Sequence, residues 1–257
     1  MLVLLFTSCK NDLSEDIVDT SRSKTLAQYL FLDAFRQVLS VVPEFVAEGD
    51  KSGLATTISS NSSFSGVDYP KVITIDYGQV SQQDDFGISR RGKVLVTILS
   101  KEITKGAFKI AFDDFYLNDT KMLGELSSSY VGSVSNDSYD LVLTEGCKIS
   151  NENGTMSLNG SLSLRMTAGK QTFEVFDDIY KLTEQTKGQD FSGISYSANS
   201  TTDFTLDFSC RWIVVAGIGE VSPSEVTTQK INLGDGNCDG VVTVDVGEGD
   251  LISFQVK

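Results

Sequence analysis

The chain has 257 residues, a net charge of −14 and no histidine. That length buries a real core and suits one large β domain or two small ones. The charge repels phosphate backbones and anionic headgroups, so nucleic-acid binding by bulk electrostatics is excluded. Without histidine there are no Ser-His or Cys-His pairs, no histidine metal sites and no ordinary pH switch, which leaves any catalysis to carboxylates, Lys, Tyr, Ser or Cys.

The chain opens MLVLLFTSC. Met1 to Phe6 is too short to span a bilayer, but an apolar run followed by small residues reads as the end of a secretory signal. Thr7-Ser8-Cys9 resembles a bacterial lipobox, in which the cysteine is lipidated and becomes the new first residue. Phe6 stands where Leu is usual, and the basic segment that should precede the apolar run is expected upstream of Met1, behind an earlier start codon. Acyl chains anchor a protein without a transmembrane helix because each buried CH₂ contributes about 0.8 kcal/mol. Lys10 to Asp16, a lysine followed by acids, resembles the surface-export signal of Bacteroides-type lipoproteins and equally suits a plain acidic tether.

From Lys24 to Phe45 the apolar period changes to four, through Leu26, Leu30, Ala34, Val38 and Val42. That spacing predicts one amphipathic helix, capped by Ser23 or Thr25 and broken near Pro43, with its stripe buried on a sheet. Lys24 and Arg36 are its only basic residues, too few for a membrane-surface helix. Glu48 to Gly66 reads as a Gly/Ser/Thr/Asn-rich connector.

Beyond Asp68 come short apolar runs broken by Gly, Asn, Asp and Ser, without helical linkers, which implies antiparallel hairpins. Landmarks recur near a period of 64: Asp113 and Asp177 are 64 apart, Gly124 and Gly188 are 64, Cys147 and Cys210 are 63, and Gly92 and Gly160 are 68. The expected fold is mostly β, an extended antiparallel strand meander (a large sheet or a sandwich, about three repeated units) with one N-terminal amphipathic helix. The expected layout is a signal-peptide remnant over 1–8, a lipoprotein tether over 9–22, a helix over 23–46, a linker over 47–67 and the β-repeat domain over 68–257.

Two stretches carry a resemblance. Asp68-Tyr69-Pro70-Lys71-Val72-Ile73-Thr74-Ile75-Asp76-Tyr77-Gly78 with Arg90-Arg91-Gly92-Lys93 resembles the opening motif of a group of uncharacterised Bacteroides-type cell-envelope lipoproteins. Cys210-Arg211-Trp212 and Leu233-Gly234-Asp235-Gly236-Asn237-Cys238-Asp239 resemble that group's closing motif. The resemblance covers Asp68 to the C-terminus. It implies an envelope lipoprotein with an extended antiparallel β fold, and no reaction, substrate or cofactor.

Several residues invite a chemical reading. Cys210 and Cys238 lie 28 apart, and export to an oxidising compartment favours a disulfide, with a Cys147–Cys210 bridge as the competitor. Three body cysteines without histidine do not make a zinc site. Asp235 to Gly240 resembles the start of a calcium loop, but Val246 stands where the bidentate acid belongs, so a tight hairpin turn is expected. The doublets Asp113-Asp114 and Asp177-Asp178 evoke the carboxylate pair of a glycoside hydrolase. Neighbours on a strand point to opposite faces, so one doublet cannot supply both members, and solvated charges at strand ends are the expectation. Tyr69, Tyr77, Tyr116, Tyr130, Tyr139, Tyr180, Tyr196 and Trp212 suit core packing better than an aromatic glycan platform.

The functional expectation is a non-catalytic protein, lipid-anchored through Cys9 to the bacterial outer membrane and exposed at the surface. Its role is structural or the binding of a glycan or protein partner, with no metal and no cofactor. A carboxylate-based glycoside hydrolase and a pilus- or adhesin-type subunit held by strand exchange stay open as alternatives.

Overall fold

Among the described residues there is one α-helix, α1 (Asp19–Val41), and a curled antiparallel sheet wraps around it. The computed structural model describes residues 15–41, 57–61, 69–100, 107–131, 138–172, 174–247 and 249–256. A short 3₁₀ turn, Glu15–Val18, leads into α1. The helix therefore starts inside the stretch read as tether, while 42–45, the end of the expected helix, and Cys9 with the signal remnant lie outside the described residues.

The strands in chain order are β1 (Thr57–Ser60), β2 (Lys71–Asp76), β3 (Gln82–Gln83), β4 (Ser89–Ile98), β5 (Ala107–Leu117), β6 (Thr120–Leu123), β7 (Glu125–Tyr130), β8 (Ser138–Leu143), β9 (Lys148–Asn151), β10 (Gly154–Ala168), β11 (Ile179–Gln189), β12 (Ser195–Ser200), β13 (Phe204–Asp207), β14 (Val214–Pro223), β15 (Gln229–Asp235), β16 (Val241–Asp245) and β17 (Leu251–Gln255). All belong to one sheet rather than a two-sheet sandwich. Pairing runs β1–β2–β4–β5–β7–β8–β10–β11. From β11 it continues through β12 and β13, both of which pair β14, and on to β15, β16 and β17. β1 lies in the stretch expected to be linker.

Two sequence features make this sheet. Apolar residues alternate along β2 and β4, so one face of each strand is buried and the other is half-exposed. Glycines let neighbouring strands close up. Gly92 (φ +86°) has a positive φ, and a Cβ there would sit 2.0 Å from the Asp114 carbonyl oxygen of β5; Gly160 (φ +136°) meets Gln185 of β11 at 2.2 Å in the same way. Gly92 stands at a bulge of the β4–β5 ladder, whereas Gly160 pairs in regular register with Thr186 of β11, so these two landmarks of the sequence period do not occupy like places. Cys147 and Cys210 are placed alike: each closes a turn, its N–H bonding the carbonyl three residues back at 2.9 and 3.1 Å. Asp113 and Asp177 fall in different element types, a strand and a 3₁₀ turn.

The core is the space between helix and sheet. Phe31 meets Phe112 of β5 with ring centroids 6.0 Å apart, and Phe35 meets Phe108 of β5 at 6.2 Å and Tyr139 of β8 at 5.4 Å. From Ser23 to Ser40 every helix residue except Leu26 is buried, including Lys24, Gln28, Asp33 and Arg36. The amphipathic stripe is inside as expected, but so is the opposite side. The helix is enclosed, not laid on one sheet face.

Candidate functional site

An enclosed polar helix face needs partners, because a buried charge without one is far too expensive to keep ionised. The sheet supplies them at three levels. Near the start of α1, the Thr20 hydroxyl donates to Asp190 at 2.5 Å and Ser21 donates to Gln229 of β15 at 2.5 Å. One turn on, Lys24 reaches Glu184 of β11 at 2.6 Å, and Gln28 and Thr186 donate to the same carboxylate at 2.8 and 2.6 Å. Further along, Asp33 is gripped by Arg36 at 2.5 Å and by Arg90 of β4 at 2.6 Å. Arg90 also pairs with Asp84, and Arg36 donates to the carbonyls of Phe208 and Cys210 at 3.0 and 2.8 Å while stacking over Phe86.

These pairings fix the protonation states. Burial alone would raise the Asp33 carboxyl, but the Arg90 and Arg36 guanidinium groups more than offset it and hold the carboxyl below the ordinary Asp range. Burial, reinforced by the Asp33 charge, pushes the Tyr29 and Tyr77 phenols up and keeps them neutral. An ionised acid locked between two arginines is neither a general acid nor a free base. The cluster fastens helix to sheet.

Two of the fastening acids sit in turns built alike. In each, the Asp N–H bonds the carbonyl four residues on (Asp84 to Ile88 and Asp190 to Ile194, both 3.0 Å). Asp84 Oδ1 accepts from the N–H groups of Phe86 and Ile88, and Asp190 Oδ1 accepts from those of Ser192 and Ile194. The second carboxylate oxygen of each is then free to reach inward, to Arg90 or to Thr20. The sequence reading missed this pair. Its signal was present as Gln83-Asp84 with Gly87-Ile88-Ser89, repeated as Gln189-Asp190 with Gly193-Ile194-Ser195, 106 residues apart and off the period of 64.

The residues singled out from sequence are placed as follows. Cys210 and Cys238 form a disulfide with Cα atoms 5.2 Å apart. It ties the turn after β13 to the turn between β15 and β16, joining two turns rather than two paired strands. A loop of that length contributes roughly 3–4 kcal/mol in the chain-entropy picture. Asp235 to Gly240 is the β15–β16 turn, in which Asp235 accepts from the Asn237 side chain at 2.7 Å. Asp114 is exposed and pairs with Lys121 at 2.7 Å, and exposed Asp177 accepts from Thr172 at 2.9 Å. Asp178 is buried and accepts from Tyr180 at 3.2 Å. Asp114, Asp177 and Asp178 thus each have a separate local partner. Tyr77, Tyr180, Tyr196 and Trp212 are buried; Tyr116 lies flat under Arg91. The buried aromatics serve as packing.

Cys147 is a buried free thiol that donates to the Glu125 carbonyl at 3.2 Å, and burial pushes its pKa up. A chain carrying Cys9→Ser should therefore resist iodoacetamide while native and take up one label, at Cys147, only on unfolding without reductant. Rapid labelling of the native chain would contradict this burial.

An open depression of about 900 Å³ lies on the outside of β10, β11 and β12. Three rungs of paired residues cross it: Asn159, Lys187 and Ser197; Ser161, Gln185 and Asn199; and Ser163 with Thr183. Its floor is low because these are mostly small hydroxyl and amide side chains. No family model, no curated protein and no solved structure matches the chain.

Proposed function

We propose that this is a non-catalytic protein, lipid-anchored through Cys9 to the bacterial outer membrane and surface-exposed, with a structural or binding role. One observation supports the non-catalytic part: the acids buried against the helix, and one member of each Asp doublet, are already engaged by neighbours. Asp33, Asp84 and Glu184 are held in buried ion pairs, Asp190 is bonded to the helix, and Asp114 and Asp177 have neighbours of their own at the surface. The anchor rests on the apolar run ending at Thr7-Ser8-Cys9, and on the likeness of the Asp68–Gly78 and Cys210–Asp239 stretches to the envelope-lipoprotein motifs.

The test is metabolic labelling of the producing bacterium with a clickable fatty acid. The wild-type chain should be labelled and fractionate with the outer membrane, while Cys9→Ser should be unlabelled and released. Equal labelling of the two would overturn the anchor.

A further inference from the structure

We propose that the depression over β10, β11 and β12 is a binding site for a neutral, hydroxyl-rich chain, a linear oligosaccharide lying across the strands. This rests on the binding role proposed above and gives it a location and a ligand class.

The side chains decide the class. Ser161, Thr183, Gln185, Ser197 and Asn199 line the depression with hydroxyls and amides, groups that both donate and accept, while the Ser163 hydroxyl donates to Asp140 at 2.6 Å. A sugar hydroxyl also does both, so such a surface and such a ligand can satisfy each other at every contact. An apolar ligand would bury these groups unpaired. Charge narrows it further. In a chain of net charge −14, the outward residues of the three rungs include one cation, Lys187, and no acid. The one carboxylate among the lining residues, Glu184, points inward to Lys24. The nearest acids are at the rims, Asp140 opposite Ser163 and Glu220 opposite Asn199, where they would repel a polyanion.

Spacing supplies the direction. Neighbouring strands lie about 4.8 Å apart, close to the length of one sugar residue in a linear glycan. A chain laid across the strands along the rung Ser161–Gln185–Asn199 therefore meets a fresh hydrogen-bonding side chain at each sugar. The flanking rungs, Asn159–Lys187–Ser197 and Ser163–Thr183, stand about two residues to either side, roughly 6.8 Å away, and can reach its edges. The floor is rigid, since β11 is bonded on both sides over most of its length, so little ordering is needed on binding.

The experiment uses the full chain carrying Cys9→Ser, so that the anchor plays no part. Maltohexaose, cellohexaose, laminarihexaose and mannohexaose, with hexagalacturonate as the charged comparison, are titrated by calorimetry up to about 10 mM, the range expected for contacts made mainly by hydrogen bonds. At least one neutral hexaose should bind saturably and hexagalacturonate should not. Ser161→Arg, which places a long side chain across the central rung, should weaken binding about tenfold or more, and Gln185→Ala about fivefold. Ser253→Arg, on exposed β17, should leave binding unchanged. Both Gln185 and Ser161 are exposed, and a thermal melt reports whether each variant is folded. No saturable binding by any neutral hexaose, equal binding of hexagalacturonate, or Ser161→Arg and Gln185→Ala variants that bind like the parent would each overturn the site. Because the anchor is removed, such a failure leaves the lipidation at Cys9 standing, and a failed labelling leaves the groove standing.

Discussion

Asp33→Ala is expected to destabilise the protein by roughly 3–5 kcal/mol, because it leaves the Arg36 and Arg90 guanidinium groups buried without their shared anion. Asp33 side-chain exposure is 0%, as is that of both arginines, so water cannot take the place of the carboxylate. Asp33→Asn keeps the shape and removes the charge, which isolates the electrostatic part. The sign of the pH dependence follows from the direction of the shift. The folded carboxyl lies below the unfolded value of about 3.9, so its stabilisation is fully present above that pH and is lost as the pH falls through the lower folded value. Wild type and Asp33→Asn should therefore differ most at neutral pH and converge in acid. Urea midpoints at a series of pH values measure this. A constant difference at every pH, or an Asp33→Ala variant within about 1 kcal/mol of wild type at neutral pH, would show that the cluster is not the fastening described.

The same cluster shows what a sequence can and cannot disclose. Helix α1 was legible because its apolar residues recur at a local period, and that period survives any tertiary context. The enclosure of its polar side was not. Lys24, Gln28, Asp33 and Arg36 look like an ordinary solvated face, since nothing within a few residues of them is unusual. Their partners come from far along the chain: Arg90 is 57 residues from Asp33, and Glu184 is 160 residues from Lys24. Only the fold joins them. The Cys210–Cys238 pairing was legible because few cysteines compete, but its location in two turns depended on strand ends that periodicity marks poorly. Antiparallel strands were legible from alternation and turn residues, whereas a single curled sheet and a sandwich have the same alternation. The groove over β10 to β12 was illegible for a related reason. Asn159, Ser161, Ser163, Gln185 and Asn199 are unremarkable outward residues until register aligns them.

Leu30→Asp and Val38→Asp should each cost more than about 5 kcal/mol, a sum of lost burial, a cavity and an unpaired carboxylate. Leu30 is 1% exposed and Val38 0%, on a helix buried from Ser23 to Ser40 at every residue but Leu26. Each substitution forces a charge into a space whose existing cations, Lys24, Arg36 and Arg90, are already matched by Glu184, Asp33 and Asp84. The carboxyl must then be buried neutral and unsatisfied, or the helix must leave the sheet. Set against a typical domain stability of about 5–15 kcal/mol, either outcome removes most of the folded population. Leu26 is the internal comparison. It is the one residue between Ser23 and Ser40 that is only half-buried, so Leu26→Asp can turn its carboxylate to water and should melt much nearer to wild type. Thermal melts of the three variants, followed by circular dichroism, decide the matter. If Leu30→Asp and Val38→Asp melt with the wild type, the helix does not sit inside the sheet. If Leu26→Asp is as damaging as the other two, the helix is enclosed but its least buried line has been misplaced.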